Sequence, residues 1–218
     1  LGDVYKRQML EECLGIANMA NILFVRQKET LGLGHAVNTA KAFTGDDPFV
    51  VIYGDDVIWG EDPVCAQLIR AYEEFGRPVA GVSAVPWEDV SRYCSLKTTP
   101  IHDNYFFVDD MIEKPKKGQE FSNYSILGRV LLTPEIYDLL AHTKPGAGGE
   151  IQLTDAMAEY ARNYGGMTAV TLEENLGSFA DTAQLSAYAI QAMNWAVGQG
   201  LILSLIHISE PTRRRGIS

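Results

Sequence analysis

The chain has 218 residues, of which 46% are hydrophobic and 21% charged, and its formal net charge is −10. A chain this acidic is a poor partner for the phosphate backbone of nucleic acids, and no apolar run approaches the roughly 20 residues of a membrane span. The three cysteines, Cys13, Cys65 and Cys94, have no CxxC spacing, which argues against a disulfide framework or a zinc site. We therefore expect a cytoplasmic domain without a nucleic-acid or membrane partner.

The two ends of the chain can be encoded by one inverted repeat. Residues 3–8 read DVYKRQ, and the reverse complement of one of its back-translations encodes LSLIHI, the sequence of residues 203–208. The pair also resembles translated sequencing-library adapters, so we predict that residues 1–8 and 203–218 are foreign to the protein. These ends carry +1 and +2 charges, so residues 9–202, a predicted partial domain, carry −13.

Apolar strand-like runs alternate with helix-like segments inside these ends, which is typical of an α/β fold. The first half predicts a strand at 22–27, a helix at 32–43, a strand ending in carboxylates at 49–56, a helix opened by Asp62 and Pro63 and closed by Gly76, and a strand at 78–85. Continuous apolar runs suit parallel strands that are buried on both faces. We therefore expect a mixed, mainly parallel sheet.

The second half predicts a pair of strands and then further alternation. The expected elements are paired strands at 94–99 and 104–115 joined by a polar loop at 102–104, a strand at 125–133, a helix from Thr133 to about His142, a helix at 154–164, a strand at 167–172 and a last helix at 182–197. An open α/β nucleotide fold normally begins with a strand and a phosphate-binding glycine loop. The sequence has no such opening, so we expect it to start within the fold.

Two acidic positions are candidates for a metal site. Ligands bind beyond the carboxyl ends of strands in an open parallel sheet, and Mg²⁺ is held by one or two carboxylates plus substrate phosphates. Asp55, after the strand FVVIYGDD, is the preferred ligand, and a helix cap or a solvated loop acid is the alternative. Asp181, directly before the last predicted helix, either supplies a second carboxylate or caps that helix.

Two further runs carry candidate substrate contacts. In IEKP, Glu113 could accept sugar hydroxyls and Lys114 could hold a phosphate, although a solvated charge pair on a sheet edge has the same pattern. In QKETLGLGHAV, Gln27 could read a base edge while the glycine turn presents backbone N–H groups to a ligand. We assign no role to His35. No Ser/His/Asp or Cys/His arrangement occurs, so we expect no covalent nucleophile.

Together and in this order, these runs resemble bacterial UTP–glucose-1-phosphate uridylyltransferases. The matching runs are VRQKETLGLGHAV, VVIYGDDVI, MIEKPKKGQEFSNYSILGRVLLTPEIYDLL and PGAGGEIQLTDA, of which the last is the most specific. The resemblance covers essentially all of residues 9–199. It implies a Rossmann-like nucleotidyltransferase fold, here without its first strand and glycine-rich loop, and a cytoplasmic, homo-oligomeric enzyme that makes UDP-glucose and pyrophosphate from UTP and glucose 1-phosphate.

The resemblance also implies a role for individual residues. It assigns the nucleotide base to Gln27 and Gly32, Mg²⁺ to Asp55 and Asp181, sugar hydroxyls to Glu113, the sugar phosphate to Lys114 and the lining of the sugar pocket to Gly128. Asp55 and Lys114 are the expected catalytic residues. The chain departs from the family where Tyr93-Cys94 replaces Tyr-Gly, so that the cysteine either crowds the sugar site or points away. It also departs after Asp181, where the common glycine is shifted or replaced and Ala183 is present.

Three alternatives remain open at this point. The first is the same chemistry with another nucleotide or sugar, such as a thymidylyltransferase. The second is a metal-dependent glycosyltransferase, although the EKP and PGAGGEIQLTDA runs favour a nucleotidyltransferase. The third is a non-catalytic homologue that binds the nucleotide sugar. Because the loop that grips the triphosphate is missing, we expect residues 9–202 alone to make no UDP-glucose.

Overall fold

The chain divides into two units, Leu1–Thr30 and Leu31–Ser218. This computed structural model describes residues 7, 10–11, 14–15, 18–56, 58 and 62–172. In the first unit the predicted strand at 22–27 is wrong, because these residues have no regular secondary structure and Phe24 is 95% exposed. A strand needs a hydrogen-bonded neighbour and a packed face for stability, and the described residues of this unit contain no other strand.

The second unit contains a six-stranded sheet in the order β1-β5-β2-β6-β4-β3. Its strands are β1 (Phe49–Ile52), β2 (Val79–Ala84), β3 (Cys94–His102), β4 (Tyr105–Glu113), β5 (Tyr124–Leu132) and β6 (Met167–Thr171). The predicted mixed sheet is confirmed, but the expectation that it is mainly parallel needs correction. Within the described residues only β2 and β6 pair in parallel, because β5 inserts antiparallel between β1 and β2 and because β3 and β4 form a hairpin.

Five α-helices accompany the sheet in the described part of the second unit. They are α1 (Leu33–Thr39), α2 (Lys41–Thr44), α3 (Val64–Phe75), α4 (Glu135–Leu140) and α5 (Leu153–Asn163), and the segments Trp87–Arg92 and Ala147–Gly149 form 3₁₀ turns. The predicted helix at 32–43 is interrupted at Ala40, and the predicted helix at 182–197 lies outside the described residues. None of the described helices has the length and apolar content to span a bilayer.

Helix α3 illustrates how local signals set the ends of an element. Gly76 ends it in the left-handed conformation (φ 63°, ψ 27°), as predicted. At its start Pro63, and not Asp62, holds the capping position, and the Asp62 carboxylate instead accepts a hydrogen bond from Arg70. The buried residues of α3 recur at helical spacing, so one face of the helix lies against the sheet.

Apolar side chains pack on both faces of the sheet. Along β2, Val79 packs with α3 on one face while its neighbour Ala80 packs with α4 and α5 on the other, as the period of two in a strand requires. Along β5, Leu131 and Leu132 alternate in the same way. The sheet is therefore covered by helices on both sides, which explains its continuous apolar runs.

The β3–β4 hairpin has two parts that contact different elements. Its outer part pairs with β6 from Tyr105 to Val108. A register shift follows at Lys97/Thr98, and in the inner part Asp110 forms an ion pair with Arg162 of α5 at 2.6 Å. Bulges bend the strands that carry them and are frequent beside active sites. The inner part ends at Glu113, beside the candidate site described below.

A histidine at the tip of this hairpin connects it to α3. His102 Nε2 lies 2.9 Å from Glu74 Oε1 and Nδ1 lies 3.2 Å from Asp103 Oδ2, and the ring contacts Phe75 and Tyr105. The hydrogen bonds to Asp103 and then to Glu74 raise the pKa of His102. Protonated His102 therefore stabilises the folded state below its unfolded pKa of about 6.5, and this contribution is lost as pH rises through the folded pKa.

We expect His102→Gln to remove part of the pH dependence of folding stability. Urea unfolding of the wild-type chain from about pH 6 to about pH 8 should show stability falling with pH, and the variant should show a smaller fall. The effect is small, because the ring is solvent-exposed and exposed ion pairs contribute little. His142→Gln is the control, since the His142 Nδ1 atom lies 2.8 Å from a backbone oxygen, that of Asp138, which carries no full charge. Identical pH dependence in wild type and His102→Gln would contradict the prediction.

Candidate functional site

A cleft of about 550 Å³ opens where β1 and β2 end and where β3 and β5 begin. Its walls also include the start of α5 and the end of β4. The lining residues are Leu33, Tyr53, Asp55, Asp56, Ser83, Ala84, Val85, Pro86, Arg92, Tyr93, Cys94, Glu113, Ser125, Ile126, Leu127, Gln152, Leu153 and Thr154. Three carboxylates and several hydroxyl groups thus share a partly apolar cavity of the size that small ligands occupy.

The loop after β1 brings two carboxylates to this cleft. Asp55 is exposed and Asp56 is half-buried, and both line the cavity. Behind Asp56 stands Gly128 of β5, where a β-carbon would lie 2.7 Å from Asp56 Cγ and closer still to Cβ and Oδ2. Gly128 is buried and is not among the lining residues. It therefore leaves space for Asp56, and a contact between Gly128 and a sugar stays a prediction.

An arginine fastens the same loop to β5. Arg129 Nη1 donates to the backbone oxygens of Tyr53 (3.1 Å) and Gly128 (2.7 Å), and Nη2 donates to that of Asp56 (2.6 Å). The Tyr53 N–H donates in turn to the Gly128 oxygen at 2.9 Å. Sequence reasoning missed Arg129. A charged residue within the apolar strand SILGRVLL was the available signal, because a partly buried guanidinium needs acceptors.

Two hydrophilic residues form the IEKP corner at the end of β4. Glu113 is half-buried and lines the cleft, whereas Lys114 is exposed and does not. Lys114 has a φ of 45°, and its N–H donates to the Tyr93 oxygen at 2.8 Å. A left-handed lysine before a proline is strained, and such strain concentrates at functional sites. The predicted roles of Glu113 and Lys114 in binding the sugar and its phosphate stay predictions.

Cys94 turns its thiol towards β5 at the wall of the cleft. The Sγ atom lies 3.4 Å from Ser125 Oγ and accepts the Ile126 N–H at 3.4 Å, and the residue is 6% exposed. Burial raises the pKa of the thiol to about 11, while the Ile126 N–H and Ser125 lower it and the Glu113 charge adds to the rise. The thiol is therefore protonated at neutral pH, which makes it a poor nucleophile.

Tyr53 stands on the floor of the cleft. Burial raises the pKa of its hydroxyl, and the negative charge that Cys94 acquires at high pH and the charges of Glu113, Asp56 and Asp55 raise it further. The phenol therefore stays protonated and can donate a hydrogen bond to a ligand. Sequence reasoning missed Tyr53. The signal for it in the sequence was a polar hydroxyl at the end of an apolar strand.

Two distant glycine-rich runs meet beside the cleft. The Gly34 N–H donates to the Ile151 oxygen at 2.8 Å, and the Ile151 N–H donates to the Leu31 oxygen at 2.7 Å. Gly32 has a φ of 104°, and a β-carbon there would lie 2.7 Å from Glu150 Cβ. Gly32 therefore permits this close approach, which places Leu33 in the wall of the cleft. The predicted contact of Gly32 with a nucleotide base stays a prediction.

Two predicted site residues do not belong to the described part of the second unit. Gln27 belongs to the first unit. Asp181 lies outside the described residues, as does Ala183. Their roles in binding the base and the metal stay predictions.

Comparison with known proteins identifies the class of this fold and site. A model of the nucleotidyl transferase family matches residues 3–196, which is most of the chain, and the chain therefore belongs to that family. It is similar to UTP–glucose-1-phosphate uridylyltransferase of Staphylococcus epidermidis, with 46% identity over 152 residues that cover 70% of this chain and 53% of the relative. A second such enzyme, from Staphylococcus saprophyticus, is 45% identical over 157 residues, or 72% of this chain and 54% of the relative.

A solved structure is similar to this chain as well. UDP-glucose pyrophosphorylase in complex with UDP-glucose matches 77% of this chain and 64% of its own, with a TM-score of 0.72 and 33% identity. The chain spans about half the length of the curated relatives it matches. The predicted resemblance and the predicted nucleotidyltransferase fold are confirmed.

Proposed function

We propose that this chain carries the reaction site of an enzyme that makes UDP-glucose and pyrophosphate from UTP and glucose 1-phosphate. The observation that carries the proposal is one cleft in which the carboxylates of the VVIYGDD and IEKP runs stand beside the GGEIQLTDA run. The names of the staphylococcal relatives and of the solved structure support this choice of substrates. The glycosyltransferase and the non-catalytic homologue are not favoured.

The reaction is an exchange of bonds at the α-phosphorus of UTP. An oxygen of the glucose 1-phosphate phosphate group forms the new bond, and the bond to the bridging oxygen of the β-phosphate breaks, so that pyrophosphate leaves with the electron pair. A sugar phosphate is already ionised near pH 7, so no general base is required. The protein must align two anions and neutralise their charge.

We propose one role for each of four residues, of which only Glu113 is among the residues that line the cleft. Glu113 accepts sugar hydroxyls, and Lys114 holds the phosphate that attacks. Gln27 and Gly32 contact the nucleotide base. The strained backbone of Lys114 supports a functional role for this corner.

Asp55, with Asp181, is proposed to bind Mg²⁺. The described residues contain no group of three or more histidine, cysteine, aspartate or glutamate side chains that could hold a metal. An exposed Asp55 in a cleft suits Mg²⁺ nonetheless, because this ion keeps few protein ligands and takes others from substrate phosphates and water. When bound, the ion supplies positive charge for the phosphate oxygens. We further propose that the enzyme is cytoplasmic and homo-oligomeric.

Calorimetric titration of the 218-residue chain tests the function. We expect binding of UDP-glucose, and of UTP with an affinity that rises when Mg²⁺ is present. Thymidine nucleotides distinguish the proposed function from the nearest alternative, a thymidylyltransferase. On our proposal, dTDP-glucose and dTTP should bind more weakly than their uridine counterparts. A chain that binds neither UDP-glucose nor UTP, or that prefers the thymidine ligands, would overturn the proposal.

A further inference from the structure

A buried pair of side chains forms part of the cleft wall. Ser125 on β5 is 3% exposed and Cys94 on β3 is 6% exposed, and both line the cavity. Their Oγ and Sγ atoms are 3.4 Å apart. Among the residues that the structure describes, Cys94 is the only hydrogen-bond partner of the Ser125 hydroxyl.

One arrangement of the hydrogen bonds around this pair leaves the Ser125 proton available. Because the Ile126 N–H donates to Cys94 Sγ, the sulfur already serves as an acceptor. The thiol proton is then free to point at Ser125 Oγ, since a thiol has one donor and the serine oxygen can accept two hydrogen bonds. In this arrangement the Ser125 hydroxyl keeps its own proton for an acceptor in the cleft.

Groups of complementary chemistry stand around this hydroxyl. Glu113 is the register partner of Cys94 across the β3–β4 hairpin and lines the same cleft, as does Tyr53. A carboxylate accepts hydrogen bonds only, whereas the serine and tyrosine hydroxyls can donate them. Such an arrangement fits a ligand with several hydroxyl groups, each of which both donates and accepts.

We propose that Ser125 is a specificity-determining residue that donates a hydrogen bond to a hydroxyl oxygen of the bound sugar, and that Cys94 is the positioning residue that orients it. This inference rests on the proposed function, because it assumes that the cleft takes a nucleotide sugar. It assigns the contact to the sugar and not to the nucleotide. A site built to bond a hydroxyl discriminates against a ligand that lacks it, because the protein group is then left unpaired.

Calorimetry with UDP-glucose and UDP tests the assignment. We expect Ser125→Ala to weaken UDP-glucose binding by roughly three- to tenfold, the range of one hydrogen bond, and to leave UDP binding unchanged. Cys94→Ala should weaken UDP-glucose binding by less, whereas Cys94→Ser should keep most of the affinity because a hydroxyl can replace the thiol as donor and acceptor. Cys65→Ala is the control, since this half-buried residue of α3 does not line the cleft.

A second measurement changes the ligand. Wild-type chain titrated with UDP-sugars that lack the 2-, 3-, 4- or 6-hydroxyl should bind at least one of them more weakly than UDP-glucose, and Ser125→Ala should reduce that difference. Equal affinity of the wild type for all the deoxy analogues would overturn the inference, as would a Ser125→Ala variant that binds UDP-glucose normally or loses UDP to the same extent. Absence of UDP-glucose binding by the wild type would overturn the proposed function as well.

Discussion

In an enzyme that contains this chain, Asp55→Asn should lower the proposed Mg²⁺-dependent synthesis of UDP-glucose by about 100- to 1,000-fold. The amide keeps the shape of the side chain but removes the negative charge that we propose holds the metal. Asp55 is exposed at the cleft, so its replacement should leave folding intact. Pyrophosphate release measured against Mg²⁺ concentration, together with the thermal unfolding midpoint, separates a loss of chemistry from a loss of structure.

The matched control for this variant is Asp46→Asn. Asp46 is an exposed acid in the turn that follows α2 and does not line the cleft. Its replacement removes one charge from an already acidic chain without touching the site. If Asp55→Asn keeps near-normal, Mg²⁺-dependent turnover, the proposed metal role of Asp55 is wrong.

Gly128→Ala should destabilise the folded chain by about 2 to 5 kcal/mol. The new methyl group would lie 2.7 Å from Asp56 Cγ, and overpacking of this kind costs about 1 to 3 kcal/mol. The φ of 55° at this position adds the roughly 1 to 2 kcal/mol that a side chain costs in the left-handed region. Urea unfolding monitored by circular dichroism measures the change. The variant should also displace Asp56 from the cleft.

Gly76→Ala is the control that separates the cost of the left-handed backbone from the cost of the steric conflict with Asp56. Gly76 has a similar φ of 63°, and a β-carbon there would have no atom within 4 Å. We expect this control to lose only the left-handed cost of roughly 1 to 2 kcal/mol. Adding Asp56→Gly to Gly128→Ala should recover part of the larger loss, because the two positions are in contact. Equal destabilisation by Gly76→Ala and Gly128→Ala would contradict a steric conflict with Asp56.

The sequence predicted the elements whose signals are local. The β3–β4 hairpin, with its polar turn at 103–104, and the end of α3 at Gly76 follow from apolar periodicity and turn chemistry within a few residues. The same kind of local signal predicted a strand at 22–27. That prediction is wrong, because an apolar run becomes a strand only when another strand pairs with it.

Sequence reasoning singled out Asp55 and Glu113, which line the cleft, but not the residues that support them. Asp55 and Glu113 stand out in sequence because carboxylates end apolar strands there. The Arg129 guanidinium that holds the Asp55 loop bonds to residues 73 and 76 positions away, and Cys94 contacts Ser125 across 31 positions. No local pattern encodes such partners.

By itself, the sequence determined the class of fold and the family and singled out Asp55 and Glu113, because side-chain periodicity and short motifs are properties of neighbouring residues. Only the tertiary structure decided that β5 lies between β1 and β2, that Gly128 leaves space for Asp56, and that Cys94 meets Ser125. The physical reason is that strand order and register depend on the packing and hydrogen bonding of distant segments, which compete in free energy as a whole.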